Sequence, residues 1–127
     1  MKQKKRQSLG WSFRHAFDGL FKTIKEERNI KIHLFIACLV VLSGIIFRIS
    51  RMEWIICIVL FGQVLSLELV NTALESVVDL VTDEWKPLAK TAKDAAAGAV
   101  LIAAIMAAIA GLLIFIPQLI DLLRTIS

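Results

Sequence analysis

Three apolar runs decide what this chain can become. The first covers about Ile30 to Phe47, the second opens at Trp54 and continues to Leu67, and the third runs from Ala95 to Ile120. Each belongs to a segment that approaches the roughly 20 residues an α-helix needs to cross a hydrocarbon core. None alternates polar with apolar as a half-buried strand does. Inside lipid the backbone must satisfy its own hydrogen bonds, which favours helices. A chain of 127 residues with mean hydropathy +0.73 has room for one such unit. We therefore expect an all-α integral membrane protein, a single membrane domain over 1–127, with spans over about 30–47, 49–81 (running on into the cytosol) and 91–120.

The polar stretch ahead of the first run carries nine of the fifteen Lys and Arg: Lys2, Lys4, Lys5, Arg6, Arg14, Lys22, Lys25, Arg28 and Lys31. Beside apolar spans such a cluster marks the anionic cytoplasmic leaflet, and no nucleic-acid partner is expected. Leu9, Phe13, Phe17, Leu20 and Ile24 recur at helical spacing, with Arg14, Asp18, Lys22 and Lys25 elsewhere around the helix. This predicts an N-terminal amphipathic surface helix over about 8–28, with Trp11 suited to the headgroup layer. A signal peptide is not expected, because the charged part is too long and no small-residue cleavage site follows the run at Ile46-Phe47-Arg48. With three spans, the N-terminus and the loop near 82–94 share one side, which carries twelve Lys and Arg. The other side carries Arg48, Arg51 and Arg124. The positive-inside bias puts the N-terminus in the cytosol and the chain in the cytoplasmic membrane. Cys38 and Cys57 sit alone in apolar runs and read as small hydrophobes. His33, at the entrance of the first span, has no second His or Cys nearby and does not read as a metal ligand.

Packing does not explain residues 68–79, ELVNTALESVVD. Glu68, Asn71, Glu75 and Asp79 share one face of a helix whose remaining residues are largely apolar, and ionisable groups near membrane depth normally face a partner, a cavity or an ion. About 20 residues counted from the outer turn at Arg48 reach Glu68, near the cytosolic border of the lipid core. Glu27 precedes the first span and Lys93-Asp94 precede the third, so three elements deliver Glu27, Glu68 and Asp94 to about one level. Glu75 and Asp79 stand roughly 10 and 16 Å further out at 1.5 Å per residue. Carboxylates and an Asn offer hard oxygen donors suited to Mg²⁺, for which Glu27 and Glu75 could suffice. Glu68 is where a base for a lipid hydroxyl has to be, and Lys93 offers a point charge for phosphate. No GxxxxGK[ST] loop occurs, so any nucleotide must be held by metal and Lys.

On the residues alone three readings stay open: a lipid-modifying enzyme, a small proton or cation pathway, and a structural subunit. A pathway should place acidic groups near the midplane. Gathering them at one border favours chemistry at the interface.

Residues 66–100, SLELVNTALESVVDLVTDEWKPLAKTAKDAAAGAV, closely resemble the signature of the prokaryotic diacylglycerol kinase family: ExxNxAxExxxD, a spacer, then AKD. With ERN at 27–29, KPLAK at 86–90, KDAAAGAV at 93–100 and GLLIFIP at 111–117, the chain is similar to the Gram-positive undecaprenol kinase branch of that family. The resemblance implies an ATP-dependent lipid kinase acting as a homotrimer with composite sites between subunits. It implies Glu68 as proton acceptor and substrate contact, and Glu27 and Glu75 as the Mg²⁺ ligands. Lys93 and Asp94 would contact nucleotide, with the loop at Glu84 to Lys86 nearby. Asn71 matches the Asn of the pattern and would orient phosphate or base. Asp79 matches the closing Asp, at the nucleotide or ordering the loop, and His15 falls where the family has a nucleotide-proximal residue. The implied reaction moves the γ-phosphoryl group of MgATP to the hydroxyl of a membrane lipid alcohol: undecaprenol, or alternatively diacylglycerol.

Overall fold

The computed structural model describes residues 8–126, so Lys2, Lys4, Lys5 and Arg6 of the basic cluster lie outside the described residues. Four helices follow one another: α1 (Leu9–Glu26), α2 (Arg28–Ile46), α3 (Arg51–Val81) and α4 (Pro87–Ile126). The last three are each long and apolar enough to cross a membrane.

Local chemistry sets the breaks. Ser8 opens α1, its hydroxyl accepting from the Trp11 N–H at 3.3 Å. α1 ends at a single extended residue, Glu27 (φ −92°, ψ 119°), whose N–H still donates to the Thr23 carbonyl at 2.8 Å. Arg28 then begins α2, so one residue re-aims the chain without Gly or Pro. The outer turn is tighter. Arg48 takes a left-handed φ of 53°, and the Ile49 N–H reaches back to the Gly44 carbonyl at 3.1 Å, closing the end of α2 as a Schellman motif. Ser50 and Glu53 form a capping box on α3, with the Glu53 N–H donating to the Ser50 hydroxyl at 3.3 Å and the Ser50 N–H to the Glu53 carboxylate at 2.6 Å. α4 starts on Pro87, whose missing N–H costs nothing in a first turn. It runs 40 residues through Pro117, about 60 Å at 1.5 Å per residue, against a hydrocarbon core of about 30 Å. Its polar ends carry on as helix beyond the apolar run.

α3 and α4 pair most extensively, α2 packs on α3, and α1 touches both α2 and α3. The buried apolar residues are few: Ile30, Ile49, Val64, Val100, Ala103 and Ile114. Most of each span's apolar surface is left uncovered by the single chain.

One contact is tight. A Cβ on Gly44 would lie 2.7 Å and 2.8 Å from two atoms of the Trp54 indole and 3.1 Å from Ile49 Cδ1. Glycine here lets the α3 ring lie against the α2 backbone. Gly44→Ala is expected to displace the ring and destabilise the hairpin by about 1–3 kcal/mol, read as a lowered thermal midpoint in detergent. Gly62→Ala, where nothing lies within 4 Å of the added carbon, should not lower it. Equal midpoints for the two variants would show that the indole does not depend on Gly44.

Candidate active site

The polar face of α3 is buried at one end and open at the other. Glu68 is 4% exposed and Asn71 8%; Glu75 is intermediate and Asp79 exposed. Burying a carboxylate is costly unless it is hydrogen-bonded, and Glu68 has its partner across the bundle: His33 Nε2 on α2 lies 3.1 Å from Glu68 Oε1. A carboxylate only accepts, so in this contact the Nε2-protonated tautomer of His33 is the donor to a Glu68 carboxylate. One turn further along α3, Asn71 Nδ2 donates to Glu75 Oε1 at 3.1 Å, while the buried Asn71 Oδ1 has no hydrogen-bond partner among the described residues. Asp79 accepts from Lys93 Nζ at 2.5 Å, which ties the end of α3 to the start of α4. Lys90 pairs with Asp94 one turn along α4, and Lys86 lies 3.5 Å from Glu84 in the connecting loop.

Two hollows flank this face. A polar one of about 400 Å³ sits in the α3–α4 elbow, with Asp79, Thr82, Glu84, Lys86, Lys90, Lys93 and Asp94 in its wall. The other is an apolar groove of about 360 Å³ between α2, α3 and α4. Trp54 and Phe61 line it from α3, and Ala104, Ala107, Ala108 and Gly111 hollow it from α4. His33 also lines it. The imidazole that touches Glu68 is therefore the polar end of the apolar groove.

The structure brings Asp79, Glu84, Lys86, Lys93 and Asp94 to one hollow, and couples Asn71 to Glu75. Glu68, Asn71 and Glu75 line neither hollow, and neither do Glu27 and His15. Glu27 stands half-buried at the α1–α2 corner and makes no side-chain hydrogen bond to the start of α2. His15 is exposed on α1 and packs on Trp11, ring centroids 3.9 Å apart. His33 is the residue that sequence reasoning missed, because its partner is 35 residues away. Depth counting would have found it: at 1.5 Å per residue, His33 and Glu68 lie about 20 and 26 Å from the outer turn, roughly one helical turn apart.

The donor set suits a small hard cation. Asn71 Oδ1, buried and unpaired beside the Glu75 carboxylate, is an oxygen with coordination to spare. Among the described residues no three His, Cys, Asp or Glu side chains form a metal-holding group. A Mg²⁺ ion takes one or two carboxylates and completes its shell with phosphate oxygens and water.

Comparison with known proteins reaches the same stretch of chain. The model of the prokaryotic diacylglycerol kinase family matches residues 14–115, a range that includes every residue of both hollows. Undecaprenol kinase of Bacillus subtilis (strain 168) is 51% identical over 108 residues, 85% of this chain and 88% of that protein. The diacylglycerol kinase of Synechocystis is 42% identical over 113 residues, 88% of this chain and 65% of that protein. That of Haemophilus influenzae is 32% identical over 92 residues, 72% and 78% respectively.

Proposed function

The chain belongs to the prokaryotic diacylglycerol kinase family of ATP-dependent membrane lipid kinases, and on that premise we propose that its acceptor is undecaprenol and its base Glu68. The observation that carries the reading is Glu68 itself, a buried carboxylate hydrogen-bonded to the polar end of an apolar groove and sharing its helix with the wall of a polar hollow. The groove suits the acceptor's hydrocarbon, and the hollow suits the nucleotide.

In the transfer, Glu68 takes the proton of the lipid hydroxyl as that oxygen bonds to the γ-phosphorus. The bond from the γ-phosphorus to the β,γ-bridging oxygen breaks, and ADP leaves. Positioning and charge neutralisation do most of the work in such reactions. Lys93, freed from Asp79, offers its ammonium to the phosphates; Asp94 and the Glu84–Lys86 loop border the same hollow. Glu75, Glu27 and the unpaired Asn71 oxygen would hold Mg²⁺, which supplies charge neutralisation at the phosphates when bound.

The chain works as a homotrimer whose sites form between subunits. This accounts for the apolar surface a single chain leaves uncovered and gives Glu27 and His15 a route to the nucleotide. α1, with Phe13, Phe17 and Phe21 exposed, lies on the cytosolic leaflet.

The preference for undecaprenol is supported by the 51% identity to an undecaprenol kinase over most of both chains; the more distant relatives that bear the diacylglycerol kinase name favour the second acceptor. Vesicles holding both alcohols at equal mole fraction, supplied with [γ-³²P]ATP and Mg²⁺, decide between them. Undecaprenol should be labelled at least about tenfold faster, the equivalent of 1.4 kcal/mol in transition-state binding. Faster labelling of diacylglycerol would overturn the assignment.

A further inference from the structure

Glu68 is the most deeply buried carboxylate of the site, its side chain 5% exposed, and it is held from another helix by His33, itself 21% exposed along the groove. We propose that His33 is a positioning residue of the phosphoryl transfer, fixing one oxygen of Glu68 so that the other meets the acceptor's hydroxyl at the head of the groove. This rests on Glu68 being the base.

The chemistry is that of a base and its orienter with the usual residue types exchanged. Where an imidazole is the base, a carboxylate fixes its tautomer and direction. Here the carboxylate is the base, and the imidazole N–H holds it across the α2–α3 contact. A Glu side chain carries three rotatable bonds, and a carboxylate near lipid without a donor would turn toward water or take up a proton. The 3.1 Å contact to Oε1 removes that freedom and leaves Oε2 for the proton of the incoming alcohol. Because His33 lines the groove, the same ring also borders the space the alcohol enters. None of the nucleotide-side pairs involves it: Asp79–Lys93, Lys90–Asp94 and Glu84–Lys86 all lie on α3, α4 and their loop.

The test compares His33→Leu, which fills the space without a donor, with His33→Gln, whose amide N–H can replace Nε2. Both are assayed as full-length protein in mixed micelles, with thermal midpoints measured alongside. His33→Leu should lower kcat about 10- to 100-fold, the range for losing a hydrogen bond to a buried charge, with KM for ATP within about twofold of wild type. His33→Gln should recover most of that rate. A packing role predicts no such difference between the two, so equal rates for Leu and Gln overturn the proposal, as does a wild-type kcat in His33→Leu. If Leu impairs insertion, His33→Phe takes its place in the same comparison. Glu68→Gln, run in parallel, separates the two assignments. An inactive Glu68→Gln beside a fully active His33→Leu removes His33 alone, whereas an active Glu68→Gln removes the base on which it depends.

Discussion

Glu68→Gln is expected to lower kcat by about 10²- to 10⁴-fold, the usual contribution of a positioned general base, while the protein still inserts and assembles. The substitution is nearly isosteric, and the amide oxygen can still accept from His33 Nε2, so the α2–α3 contact of 3.1 Å survives in shape. Only the capacity to take a proton is gone. KM for ATP should change little, since the hollow proposed for the nucleotide is built from the α3–α4 elbow. A loss in kcat with KM preserved is the signature of an interaction used in the transition state alone. Wild-type turnover in this variant would remove Glu68 from the chemistry.

Glu75→Gln should be nearly as damaging for a different reason. Asn71 can still donate to the new amide oxygen, as it does to Glu75 at 3.1 Å, so the local pairing persists. The negative charge that would hold Mg²⁺ against the phosphates does not. A metal's charge stabilisation is worth several kcal/mol, which corresponds to about 10²- to 10³-fold in kcat/KM. Unlike the loss at Glu68, part of this one should return as Mg²⁺ is raised, because weaker binding yields to mass action. A titration that leaves Glu75→Gln at wild-type Mg²⁺ dependence would take the residue out of the metal site.

The helical architecture was legible because lipid allows few alternatives. Long, predominantly apolar runs such as Ala95–Ile120 announce helices long and apolar enough to span. The stretch from Glu68 to Asp79 was legible for the converse reason, since its polar groups keep helical spacing inside apolar sequence. Less legible was anything set by contacts between distant residues. The break at Glu27 has no Gly or Pro to mark it. Arg48 adopts a conformation that glycine usually takes, so composition gave no sign of the turn's geometry. His33 read as an isolated histidine until α2 packed on α3, and the bond from Lys93 to Asp79 spans 14 residues. Spacing along one helix reports which side chains share a face; it is silent on which face of another helix they meet.

The elbow between α3 and α4 also has a sign. Its wall holds four anionic side chains, Asp79, Asp83, Glu84 and Asp94, against three cationic ones, Lys86, Lys90 and Lys93, and each of those lysines already has an acidic neighbour within the chain. On the proposed reading, a bare triphosphate meets a slight surplus of its own polarity there and must compete for every ammonium it approaches. The same molecule carrying a divalent ion sheds two units of that repulsion before it arrives. With the nucleotide placed there as proposed, the resting elbow would favour the ion-loaded form ahead of any chemical step.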